Sequence, residues 1–140
     1  MILADTSAWV EYDRATGSKA DRRLAKLIAD DEGQLAISEP ILMEVLAGAR
    51  DEARQNHLHR LLLRFELVRF DPAIDFDGAV RIYRRCRTVG VTPRGLIDCM
   101  IASVASRTSA TVLAHDRDIA RMAPVISMDL DPASLRPARS

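Results

Sequence analysis

The chain has 140 residues, 48% hydrophobic and 29% charged, a length and balance that suit one globular domain spanning residues 1–140 with a single core. Its 20 basic and 20 acidic residues cancel, which excludes a polycation that holds nucleic acid through bulk charge but leaves local patches open. Aromatic residues, at 4%, are too few for a sheet that reads single strands by stacking, and no apolar run approaches the ~20 residues of a membrane span.

The opening run Ile2-Leu3-Ala4 is apolar and closes at Asp5-Thr6-Ser7, after which Trp9, Val10 and Tyr12 recur at helical spacing. That order predicts a strand, a cap and a helix. The early acid, with no basic stretch ahead of an apolar one, argues against a secretory leader and for a cytoplasmic setting. Between Gly17 and Gly33, Leu24, Leu27 and Ile28 mark an amphipathic helix, and Leu35-Ala36-Ile37 reads as a second buried strand. Ser38 is expected to cap the next helix, with Glu39-Pro40 in its first turn and its body running from Ile41 to about Ala49.

A helix over 51–64 carries Leu58, Leu61 and Leu62; its His57 and His59 stand two apart, point in different directions and make a poor metal pair. The leucine stripes here and at Leu24 and Leu27 are read as core. Leu67-Val68-Arg69-Phe70 predicts a third strand, stopped by Asp71-Pro72. Ala79, Ile82, Tyr83 and Cys86 mark a helix, Pro93 starts another through Ile97, Ile101 and Val104, and Thr111-Val112-Leu113-Ala114 is a fourth strand. A short helix after Asp116, an edge strand at Val125-Ile126 and an irregular tail after about residue 131 complete the reading. Cys86 and Cys99 have no Cys or His at zinc spacing and are expected to be free thiols. Strands separated by helices imply an α/β fold of three layers, with a central parallel sheet of four to five strands flanked by helices.

Four carboxylates interrupt sequence that is otherwise core-like. Asp5 ends the first strand and Asp116 follows the fourth, which places both at the carboxyl edge of a parallel sheet, where open α/β folds form their ligand crevice. Glu44 is embedded in Ile41, Leu42, Val45 and Leu46, and Asp98 in Ile97, Met100, Ile101 and Ala102. Taken singly, Asp5 and Asp116 also suit helix caps, and Glu44 and Asp98 exposed helix positions. Taken together, gathered acids repel unless a hard divalent cation sits among them, and Mg²⁺ or Mn²⁺ prefers an all-oxygen ligand set of this kind.

In order along the chain, Ile2-Leu3-Ala4-Asp5-Thr6-Ser7-Ala8-Trp9, Glu39-Pro40-Ile41-Leu42-Met43-Glu44-Val45-Leu46-Ala47-Gly48, Leu96-Ile97-Asp98-Cys99-Met100-Ile101-Ala102 and Leu113-Ala114-His115-Asp116-Arg117-Asp118 resemble the motifs of PIN domains. The match is most similar to the VapC toxins of VapBC toxin-antitoxin systems. It implies a PIN-like fold, a Mg²⁺- or Mn²⁺-dependent endoribonuclease acting on RNA, a VapB-like antitoxin partner and a homodimer.

Carried over residue by residue, the resemblance makes Asp5, Glu44, Asp98 and Asp116 the acidic cluster. Asp5 and Asp98 would be the metal ligands, with Glu44 and Asp116 binding directly or through water. Thr6 or Ser7 would be the supporting hydroxyl, and either Asp116 or Asp118 the last acid. Arg94, one helical turn before Asp98, either clamps the scissile phosphate or pairs with the acids. The rival readings are a phosphotransfer domain of the receiver or haloacid-dehalogenase type, a degenerate PIN scaffold, and a DNA-directed PIN nuclease. Ser7 stands where the dehalogenase signature needs a second Asp, and no lysine follows Lys26 to serve a receiver.

Overall fold

A computed structural model of the chain describes residues 1–30 and 32–137. Strands β1 (Ile2–Ala4) and β2 (Leu35–Ile37) are buried at every residue, the pattern of strands covered on both faces rather than the alternation of a half-solvated sheet. With β3 (Glu66–Leu67) and β4 (Thr111–Leu113) they form a four-stranded parallel sheet in the order β3-β2-β1-β4. Leu3 lies opposite Ala36 on one side and Val112 on the other.

Parallel strands need crossovers, and helices supply them. Helices α1 (Thr6–Arg14) and α2 (Lys19–Asp30) join β1 to β2, and α3 (Glu39–Ala47) and α4 (Glu52–Leu62) lead on to β3. From there α5 (Pro72–Thr88) and α6 (Leu96–Thr108) lead to β4, and α7 (Arg117–Val125) follows it. Leu24 and Leu27 of α2 and Leu58, Leu61 and Leu62 of α4 point into the core with Leu3, Trp9, Ile37, Ile41 and Ile101. The helix pair α5–α6 is packed so closely that a Cβ at Gly78 would collide with Ser103 Oγ. Cys86 and Cys99 are free and buried. Among the described residues no helix is long and apolar enough to cross a membrane.

The order of the strands positions the site. From β1 the chain steps outward to β2 and β3, then returns to set β4 on the opposite side of β1, and this reversal opens a crevice at the carboxyl ends of β1 and β4. The Asp5 backbone N–H donates to the Leu113 carbonyl at 2.8 Å, tying the two strand ends together there.

Several boundaries differ from the sequence reading. The third strand is short: Val68 N–H still donates to the Ile37 carbonyl, but Phe70 N–H turns to the Glu39 carboxylate and leaves the sheet. Asp71 caps α5 through Ala73 N–H, with Pro72 at its start. Helix α6 begins at Leu96, not Pro93: Gly95 is extended, with φ −148° and ψ 156°, and stands at the cap position, while the Arg94 N–H ahead of it donates to the Asp118 carboxylate. Val125 ends α7 and does not form an edge strand; the buried stripe Ile119, Met122 and Ala123 carries the helical period through to it, and Ile126 N–H bonds back to the Met122 carbonyl. The outer contact to β4 comes instead from Leu130, which bridges Val112 in parallel.

Ser38 stands at the cap position of α3, yet its hydroxyl is buried and makes no cap bond. Ser134 Oγ ties the segment after residue 131 to the Val112 carbonyl and the Ala114 N–H. Residues 138–140 of the expected irregular tail lie outside the described residues.

Candidate metal centre

Asp5 leaves β1 with extended backbone and caps α1, its Oδ2 accepting from the Ser7 N–H at 3.0 Å and the Ser7 hydroxyl at 2.6 Å. Ser7 Oγ in turn accepts from the His115 N–H at 2.8 Å, so one hydroxyl joins the ends of β1 and β4. Thr6 Oγ1 donates to Glu44 Oε1 at 2.7 Å, linking α1 to α3. Asp116 caps α7, Oδ2 accepting from the Ile119 N–H at 3.0 Å. Asp98 lies in the first turn of α6, where the positive end of the helix dipole favours a carboxylate.

These residues line one cleft of about 570 Å³, whose walls include Asp5, Thr6, Ser7, Glu44, Asp98 and Asp116. Asp98, Asp116 and Asp118 each offer an oxygen within 4.8 Å of the others. Asp5 and Glu44 face the same space; of the two acids left as alternatives for the last position, Asp116 lines the cleft, while Asp118 is grouped with Asp98 and Asp116 without lining it. Arg94 is not on α6; its Nε donates to Asp118 Oδ2 at 2.8 Å and its Nη2 to Asp116 Oδ1 at 2.9 Å. His57 and His59 lie exposed on α4. A second groove, of about 460 Å³ between α5, α6 and α7, is lined by no carboxylate and offers nothing to a hard cation.

Capping accounts for one oxygen of Asp5 and leaves the other unexplained. Asp5 is 2% exposed, and its Oδ1 is buried without a hydrogen-bond partner. An unpaired carboxylate oxygen in the interior is costly unless protonated or bound to a cation. Burial, partly offset by the bonds from Ser7, pushes the Asp5 carboxyl up from 3.8 to about 6, with Asp116 and Glu44 adding to the rise. Burial first, and then repulsion from Asp5, Asp116, Glu44 and Asp118, pushes Asp98 up to about 7. An oxygen-only donor set, mutual repulsion and an orphaned buried oxygen together fit a divalent cation such as Mg²⁺ or Mn²⁺.

The sign of these shifts makes a prediction. A carboxyl whose folded value is raised favours the fold at low pH, and that contribution is lost as pH rises through about 6 and 7 for Asp5 and Asp98. In chelator at pH 8, Asp98→Asn should therefore melt a few degrees above wild type, with the gap closing by pH 4. A mutant less stable than wild type at pH 8 would make Asp98 a structural acid.

Residues 2–124 match the PIN domain family model. Over 128 residues the chain is 43% identical to the VapC ribonuclease Mb1587 of Mycobacterium bovis, covering 91% of this chain and 96% of that protein. Ribonuclease VapC11 of Mycobacterium tuberculosis matches with the same identity and coverage. The fold is similar to VapBC2 from Rickettsia felis, solved bound to a DNA fragment from its promoter, with a TM-score of 0.73, 20% identity and coverage of 96% of this chain and 99% of that one.

Proposed function

The chain belongs to the PIN-domain family, among the VapC ribonucleases, and from that membership we propose that it is a metal-dependent endoribonuclease, the toxin of a type II toxin-antitoxin pair. The observation that carries the reading is the buried, unpartnered Oδ1 of Asp5, a residue that lines one cleft with Glu44, Asp98 and Asp116. Asp5 and Asp98 would hold Mg²⁺ or Mn²⁺, with Glu44 and Asp116 binding directly or through water and Asp118 in support. When bound, such an ion lowers the pKa of a coordinated water and offsets negative charge developing on the phosphoryl oxygens.

The chain's own groups divide the remaining work. Thr6 occupies Glu44 Oε1, which leaves Oε2 to take a proton from the attacking water. The water oxygen joins phosphorus, one bridging P–O bond breaks, and the departing oxygen takes a proton from solvent. Ser7 holds Asp5 and the end of β4 at fixed separation, so the acids on the two strand ends keep their spacing without a mobile loop. Arg94, at the mouth of the cleft, would meet the phosphate. A VapB-like antitoxin, a second copy of the chain and a cytoplasmic setting complete the proposal. The names of the VapC relatives and the VapBC assembly among the similar structures support it.

Purified without partner, the chain should cut single-stranded RNA in Mg²⁺ or Mn²⁺, leave the matched DNA strand whole and stop in chelator. Equal cutting of DNA would transfer the site to a DNA-directed nuclease, and cutting of neither strand would favour a scaffold that only assembles.

A further inference from the structure

Arg94 lies in the segment between α5 and α6 with its side chain 77% exposed, yet three bonds fix it. Its backbone N–H and its Nε both donate to Asp118 Oδ2, at 3.1 and 2.8 Å, and its Nη2 reaches Asp116 Oδ1 at 2.9 Å. Among the described residues, Arg94 is the cation paired with the acidic cluster. Asp116 is thereby engaged at both oxygens, Oδ2 by the α7 backbone and Oδ1 by the guanidinium.

The same two carboxylates, with Asp98, form the group whose oxygens lie within 4.8 Å of one another. A guanidinium and a divalent ion therefore draw on the same negative charge. They differ in tether. The backbone bond from Arg94 to Asp118 survives a swing of the side chain, and the exposed guanidinium needs no desolvated path to leave Asp116 and turn toward the mouth of the cleft.

Resting on the metal-dependent reading above, we propose that Arg94 is an exchangeable counter-ion: it competes with the divalent cation for Asp116 and Asp118, sets the concentration at which the site fills, and is freed toward phosphate when it does. This orders the two events, since the phosphate-facing charge becomes available as the ion arrives. A pair that only stiffened the 91–95 segment, too far from the bound ion to compete with it, would leave ion affinity unchanged.

A unit charge and a divalent ion about 6 Å apart in a water-like dielectric repel by an amount equivalent to about tenfold in affinity, most fully expressed at low salt. The test is calorimetric titration of the full, partner-free chain with MnCl₂ alone, without RNA, for wild type, Arg94→Gln and Arg94→Lys. Arg94→Gln should bind Mn²⁺ about tenfold more tightly, and Arg94→Lys, which keeps the charge, within about threefold of wild type. Affinity in Arg94→Gln that is unchanged or weaker overturns the inference and leaves the metal site standing. Absence of Mn²⁺ binding in all three proteins overturns the metal-dependent reading as well.

Discussion

Asp98→Asn should lower metal-supported RNA cleavage at least about a hundredfold, a barrier increase of roughly 2.7 kcal/mol, while leaving the fold intact. Asparagine keeps the shape of the side chain and removes the charge that holds a cation. Burial first, and then repulsion from its acidic neighbours, pushes the Asp98 carboxyl to about 7. Its replacement therefore relieves the cluster and weakens the ion site at once. Initial rates on end-labelled RNA check this; a mutant within threefold of wild type removes Asp98 from the metal site.

The second large effect falls on a different acid, whose carboxyl is shifted the opposite way. Asp75 is 0% exposed and accepts from Ser103 Oγ at 2.8 Å, from Arg107 Nε and Nη2 at 3.1 and 2.7 Å, and from the Asp71 N–H at 2.8 Å. Asp75→Ala strips partners from a buried hydroxyl and from the guanidinium of a side chain 31% exposed, and should cost about 3 kcal/mol. That corresponds to a drop in Tm of roughly 10 °C for a chain of this size. The bonds from Arg107, Asp71 and Ser103 hold the Asp75 carboxyl below its usual range despite burial. Its contribution is thus present above the ordinary carboxyl value and lost as pH falls through the folded one, so the gap between mutant and wild type should narrow in acid. Thermal melts across pH check both statements, and Mn²⁺ affinity should stay unchanged, because Arg107 lies about 13 Å along α6 from Asp98.

Asp75 and Asp98 show what a sequence discloses and what it conceals. Asp5 and Asp116 were legible because a parallel sheet carries its crevice at the carboxyl ends of its strands, and each acid follows an apolar strand. Glu44 and Asp98 stood out against apolar helical neighbours. Asp75, in the first turn of α5, reads as an ordinary partner of the helix dipole, and its counter-ion lies 32 residues away with no local signal. The capture of Arg94 by Asp118, 24 residues on, is equally silent in the sequence, as is the extended backbone at Gly95 that starts α6 at Leu96 and not at Pro93.

The sheet shows the same division. Continuous apolar runs identified β1, β2 and β4, which are covered on both faces. At Val125-Ile126 a β-branched pair suggests a strand, but the stripe that includes Ile119 and Met122 outweighs it, and Leu130 takes the edge instead. Short apolar segments carry too few residues to separate the two periods, and tertiary contacts decide between them.

The central claim is that acids from β1, α6 and the start of α7 converge on one divalent cation. Anomalous scattering from crystals of the partner-free chain soaked in MnCl₂ tests it most directly. A peak bordered by Asp5 Oδ1, Asp98 and Asp116 is the predicted result, whereas a saturated soak with no peak there, or with Mn²⁺ bound only elsewhere, would contradict it.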